Sequence, residues 1–172
     1  MKLCFTDCET VSLKPGPATM WELALIIREE PASAAADAEW VWHIRPDLTT
    51  ADAAALKVGG FHQRCKVPAG YGPGDAKLVH GDEADSAFNA IQPGWQAAQA
   101  IANHLDGAVL VGANVGSFDV PHLDGYLRAH GECLAVDYHY LDTGSLVMGW
   151  AAGKSSGFRG ACELLRGSQT TS

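Results

Sequence analysis

Two acids stand two residues apart in Phe5-Thr6-Asp7-Cys8-Glu9-Thr10. Side chains two apart on a strand point to the same face, so Asp7 and Glu9 are expected to project together. Carboxylates that close repel each other, and the arrangement is costly unless a proton or a cation neutralises them. Oxygen ligands of this kind suit Mg2+ or Mn2+. A solvated pair on an open face is the plain alternative. A third acid, Asp119, ends the stretch Gly112-Ala113-Asn114-Val115-Gly116-Ser117-Phe118-Asp119, which follows the short apolar run Ala108 to Val111. Small and polar residues beyond a buried strand mark where α/β sheets place their sites. Asp119 also falls near the start of the next helix, where an Asp serves as a cap.

Positioning these acids requires a sheet. Lys2 to Thr6, Trp21 to Arg28 and Trp40 to Ile44 are rich in strand formers, and their spacing predicts an antiparallel meander. Ser12 to Thr19 reads as a turn. Thr50-Ala51-Asp52 opens a short helix over Ala53 to Leu56, which Gly59-Gly60 stops. Residues 65 to 83 look like a surface loop. Ala84 to Leu105 reads as a helix that Pro93-Gly94 breaks or kinks. Ala108 to Val111 is a buried central strand, Val120 to His130 a helix, and Tyr138 to Leu141 a further strand. Leu146 to Ala152 and Phe158 to Leu165 are helical pieces, and Gly167 to Ser172 a frayed tail. The predicted fold class is α/β: a mixed five-stranded sheet, three antiparallel strands then two parallel, flanked by helices.

The composition suits one soluble domain: 172 residues, 47% apolar and 19% charged. No apolar run approaches the roughly 20 residues that cross a bilayer, so no membrane is expected. Acid arrives too early for a secretory signal, and the expected compartment is the cytoplasm. The net charge of −8 argues against a broad basic surface gripping long duplex DNA. A small footprint at a strand end fits better, because carboxylate-bound cations then meet the phosphate. The five cysteines lack a C-x2-C pair and read as reduced thiols, with Cys4 and Cys8 on one strand face. Nothing supports a P-loop or a G-x-S-x-G elbow. Trp21 and one of Trp40 and Trp42 read as core anchors. His62, Arg64 and Lys66 form a small basic cluster near Lys57, read as a solvated face or as part of a substrate entrance. His122 and His139 read as solvated or locally bonded.

Together the acidic stretches resemble the DEDD superfamily of 3′–5′ exonucleases, in its DnaQ-like branch. Asp7-Cys8-Glu9-Thr10-Val11-Ser12-Leu13 is similar to that family's first motif, D-x-E-T-T-G-L, with Val11 and Ser12 where Thr and Gly are usual. Trp21-Glu22-Leu23-Ala24 is similar to its second strand, x-E-I-A. Asn114 to Asp119 resembles the second motif, N-x-x-F-D, with one extra residue before Phe118. Arg45-Pro46-Asp47 through Phe61, and the later Leu141-Asp142-Thr143, resemble the connecting segments. The likeness covers residues 1 to 166 and implies a ribonuclease H-like fold over that span.

The resemblance implies roles. Asp7 would bridge two Mg2+ or Mn2+ ions, Glu9 would help bind the first, and Asp119 would reach the second, with the ions roughly 3.5–4 Å apart. Thr10 would offer its backbone amide to the terminal nucleotide. Leu13 would wedge beside the terminal base, and Phe118 and Asn114 would line the same pocket. The expected partner is the 3′ end of single-stranded DNA or RNA, and a DNA polymerase is a further expected partner. The branch's late H-x4-D motif, which carries the fourth acid and the general base, is expected after Ala161 to Gly167. The sequence continues there only to Ser172. Asp142, in Tyr138-x3-Asp142, fits the other branch's Y-x3-D pattern as a fourth acid or orders its own loop. Three readings follow: an exonuclease impaired by a missing ligand and base, a divergent enzyme with its fourth acid elsewhere, or a non-catalytic module that binds nucleic-acid ends or a polymerase. A sheet face left open by a missing last helix would favour oligomerisation.

Overall fold

Lys2–Thr10 forms the first strand, β1, and its alternation decides what each face does. Cys4, Thr6, Cys8 and Thr10 turn inward and are buried, while Leu3, Phe5, Asp7 and Glu9 line the other face. In this computed structural model, residues 1–29, 37–80 and 90–154 are described. β1 pairs antiparallel with β2, Met20–Glu29, which pairs antiparallel with β3, Ala38–Ile44. A short helical turn at Leu48–Thr50 leads to α1, Ala53–Val58, and α2, Phe61–Arg64. Asp52 caps α1 by accepting from the Ala54 amide. β4, Ala76–His80, continues the antiparallel set beside β3. After α3, Gly94–Leu105, the strand β5, Val109–Gly112, lies parallel to β1 on its other side. Next come α4, Asp119–Ala129, then β6, Leu141–Asp142, parallel to β5, then α5, Thr143–Lys154. The sheet order is β4-β3-β2-β1-β5-β6. β1 is therefore the strand where antiparallel pairing gives way to parallel pairing.

The main core fills the inward face. Cys4, Cys8, Leu23 and Leu25 of the sheet meet Ile101 and Leu105 of α3 and Leu123 and Leu127 of α4. Pro121 sits in the first turn of α4, where a missing N–H costs no helical bond. On the opposite face a smaller cluster of Val11, Trp21 and Phe61 seats α1 and α2 beside the end of β1. Trp21 and Trp42 are both buried, as expected of core anchors.

The mixed, helix-flanked sheet agrees with the expected class, but it has six strands where five were expected. The extra one is β4, inside the stretch read as a surface loop. Its five residues carry little pattern alone, but β3 offers an open edge, and Ala76 and Leu78 then bury their side chains. The expected helix over Ala84 to Leu105 begins only at Gly94, with Pro93 as its cap residue; residues 84–89 lie outside the described set. The strand expected over Tyr138 to Leu141 is shorter and later, at β6. Helix Leu146 to Ala152 is contained in α5, while the helix expected over 158–165, the tail at 167–172 and Cys162 lie outside the described residues.

Candidate functional site

The site forms because β5 stops before β1 does. The β1–β5 ladder spans only Leu3–Phe5 against Val109–Val111. Gly112 ends β5 hard against β1, where an added Cβ would stand 2.8 Å from the Thr6 carbonyl oxygen. Past that point the Cys8 amide faces a gap where β5 has ended. Asp119, the first residue of α4, fills the gap: its Oδ1 accepts from the Cys8 N–H at 2.9 Å. The third acid is thereby held at the β1 residue that lies between Asp7 and Glu9. This is the crevice at the carboxyl ends of parallel strands, where open α/β sheets bind ligands.

The electrostatics follow from that placement. Asp119 is only 4% exposed. Burial raises its carboxyl above the ordinary carboxylate range, the charge of Asp7 adds to the rise, and the bonds from Cys8 oppose it. Burial also pushes the Cys8 thiol up, and Asp119, Asp7 and Glu9 all push it further. Cys8 thus sits amid three negative groups and is no thiolate nucleophile. Among the described residues, neither Asp7 nor Asp119 belongs to an ion pair.

Glu9 differs. It pairs across the sheet with Glu22, and Glu22 pairs with His43. Between Glu9 and Thr10 the register slips by one residue, leaving Trp21 as an extra residue on β2. Such a bulge re-aims side chains, and it lets Trp21 stand with Glu22 on the Glu9 side of the sheet. Arg64 donates through Nη2 to Glu22 Oε1 and through Nη1 to Glu9 Oε1 at 3.4 Å. His43 Nε2 lies 2.9 Å from Glu22 Oε2, while its Nδ1 accepts from the Lys66 amide at 3.0 Å. Of the basic cluster read from the sequence, Arg64 thus turns inward onto carboxylates. The sequence marks Glu22 only as a lone charge within the apolar run of β2.

The remaining candidates are spread around the crevice. Thr10 is buried, and its Oγ1 donates to the Ser12 carbonyl at 3.0 Å. Leu13 is 76% exposed and borders a cleft of about 490 Å3 with Lys14, Thr50 and Asp52. Asn114 has φ of 60°, a left-handed conformation that Asn tolerates, and its side chain accepts from Ser117 Oγ. Its amide donates to Asp142 Oδ2 at 2.6 Å, while Asp142 Oδ1 accepts from the Ser145 amide at 2.7 Å. Asp142 thus ties the loop after β5 to the start of α5. Phe118 packs on the main core and beside the His122 ring, 4.9 Å between centroids. His122 is fully buried and bonded to Thr19 Oγ1 at 2.8 Å, and His139 is bonded to Asp137.

The donor set of Asp7, Glu9 and Asp119 is all oxygen and suits a hard divalent cation. Among the described residues, no three His, Cys, Asp or Glu side chains converge into a ready coordination shell. Glu9 is drawn toward Arg64, and one oxygen of Asp119 is engaged by β1.

No protein-family model and no curated protein sequence matches the chain. Solved structures do match in fold. A product-bound exonuclease I superposes with a TM-score of 0.56 at 12% identity, over 90% of this chain and 33% of that one. A second exonuclease I structure gives 0.52 at 13% identity, over 88% and 29%. The chain thus spans about a third of the length of the exonuclease I structures it matches. Among the described residues, no helix is long and apolar enough to cross a membrane. With its six-stranded mixed sheet and flanking helices, the chain has the ribonuclease H-like fold that exonuclease I displays.

Proposed function

We propose that this chain is a divalent-metal-dependent 3′–5′ exonuclease domain that releases nucleoside monophosphates from a single-stranded 3′ end. One observation carries the reading: Asp119 reaches across from α4 to the Cys8 amide and so joins Asp7 and Glu9 at the end of β1. The exonuclease I-like fold supports it. The fit to a cation rests on charge and donor type. Burial raises the Asp119 carboxyl and the charge of Asp7 adds to the rise, so a cation would relieve the cost of a buried acid there. Asp7, Glu9 and Asp119 would hold Mg2+ or Mn2+, two ions per site. Such ions supply Lewis acidity at the phosphate and lower the pKa of a bound water. The chain's own part is to position. Asp119 is fixed by the Cys8 amide, Leu13 offers an exposed apolar wedge for the terminal base, and Thr10 anchors the turn beneath it.

A labelled single-stranded oligonucleotide incubated with Mn2+ tests this. A ladder shortening from the 3′ end is expected, and Asp7→Ala should lower its rate at least about 100-fold, on the scale of losing a preorganised charge-stabilising group. Equal rates in parent and variant would reject the site. DNA and RNA oligonucleotides run in parallel read the sugar preference. A second reading, a non-catalytic module for nucleic-acid ends or a polymerase, draws on the missing ready-made shell among the described residues. Retardation of the oligonucleotide without shortening would select it.

A further inference from the structure

Arg64 is held too firmly for an ordinary surface arginine. Its side chain is about half exposed, yet both terminal nitrogens of the guanidinium are engaged from the inner side. Nη2 donates to Glu22, whose side chain is only 10% exposed. Nη1 donates to the Gly59 carbonyl at 3.0 Å and reaches Glu9 Oε1 at 3.4 Å. The guanidinium carbon lies 5.3 Å from the Trp21 ring centre, a cation–π contact. Gly60, at φ of 69°, turns the chain between α1 and α2 so that Arg64 faces back toward the sheet. Glu9 also lies close over Gly59, where an added Cβ would stand 2.7 Å from Glu9 Oε2.

A buried carboxylate such as Glu22 needs a partner, and that need fixes the arginine. The planar fork of Arg can serve two carboxylates at once, which a lysine ammonium does less specifically. The grip on Glu22 is the firm one, and the contact with Glu9 is the long one. Glu9 is the member of the acidic set nearest to this positive charge.

We propose that Arg64 is a positioning residue for Glu9: anchored by Glu22, Gly59 and Trp21, it neutralises the Glu9 carboxylate without metal and yields that carboxylate when a divalent cation binds. This rests on the reading of Asp7, Glu9 and Asp119 as a cation site. The arrangement has a sign that a merely structural ion pair lacks. A cation competes with Arg64 for the Glu9 carboxylate, so removing the arginine charge should strengthen metal binding while weakening the metal-free fold.

Calorimetric titration with Mn2+ alone tests it. Arg64→Met should lower the Mn2+ dissociation constant about 3- to 10-fold, on the scale of one partly exposed charge interaction. Arg64→Lys keeps the charge but not the fork, and its constant should fall between those of the parent and Arg64→Met. Lys66→Met removes a neighbouring exposed cation and should leave the constant unchanged. Should Arg64→Met fail to fold because Glu22 is left unpaired, the double variant Arg64→Met/Glu22→Gln, compared with Glu22→Gln, carries the same expectation. Mn2+ uptake by the parent with no tightening on loss of Arg64 overturns this inference alone, as does equal tightening in Lys66→Met. No uptake by any chain overturns the cation site itself, and this inference with it.

Discussion

Replacing Asp119 in two ways separates its structural work from its charge. The carboxylate does one thing for the fold: Oδ1 accepts from the buried Cys8 amide at 2.9 Å. It also costs the fold something, because it is 4% exposed and crowded by Asp7. Asp119→Ala removes the acceptor and leaves the Cys8 N–H unsatisfied, a penalty of about 1–3 kcal/mol. Relief of the crowded charge offsets part of that, so a net loss of about 1–2 kcal/mol is expected. Asp119→Asn keeps an oxygen acceptor of the same reach and discards the charge. It should match the parent or exceed it by up to about 1 kcal/mol. Urea denaturation in chelator, followed by tryptophan fluorescence, reads both, since Trp21 and Trp42 are buried. In a chain of this size 1 kcal/mol moves Tm by roughly 2–4 °C. The sign of the pH dependence is also set. The folded carboxyl has a raised pKa, so the folded state holds more protons than the unfolded one just above the ordinary value of 3.8. This group's contribution therefore falls as pH rises through that window, and Asp119→Asn removes the slope. Both variants should lose Mn2+ uptake alike. If Asn destabilised the metal-free protein as much as Ala does, the bond to β1 would not be what Asp119 supplies, and the account of the crevice would fail.

Two further outcomes follow from the face that carries Glu9. His43 is kept neutral, because burial, with help from Arg64, Lys66 and Lys77, lowers it from an ordinary value of 6.5 to about 4. The unfolded chain then binds the extra proton between those values, so stability should fall as pH drops from about 6.5 to about 4, by up to roughly 3 kcal/mol; His43→Gln should flatten that limb, and an unchanged pH profile would refute it. Gly59→Ala should displace the Glu9 carboxylate, whose Oε2 would lie 2.7 Å from the new Cβ, and weaken Mn2+ uptake several-fold; the same Cβ would stand 3.2 Å from the buried Trp21 ring, so a stability loss of about 1–3 kcal/mol is expected as well. Unaltered uptake in calorimetry would show that Glu9 takes no part in holding the cation.

Much of the architecture was legible in order along the chain. The two-residue spacing put Asp7 and Glu9 on one strand face, although the strand expected over Lys2 to Thr6 runs on to Thr10, and the apolar runs at Trp21 and Ala108 marked two further strands of the sheet. Local periodicity carries this information because a strand's two faces are decided by its own residues. Tertiary structure decided the rest. β4 exists because β3 presents an edge to it, and nothing within Ala76 to His80 announces that edge. Asp119 became a neighbour of Cys8 only because β5 ends at Gly112 and leaves the amide for α4 to satisfy. Glu22, His43 and Arg64 lie 21 and 42 residues apart along the chain, as their numbers show. Cross-strand register and a bulge set Glu22 beside Glu9 and His43, the turn at Gly60 brings Arg64 onto both carboxylates, and burial demands a partner for Glu22. Spacing along the chain could name the acids. The closing of the sheet chose which of them face an arginine and which face one another.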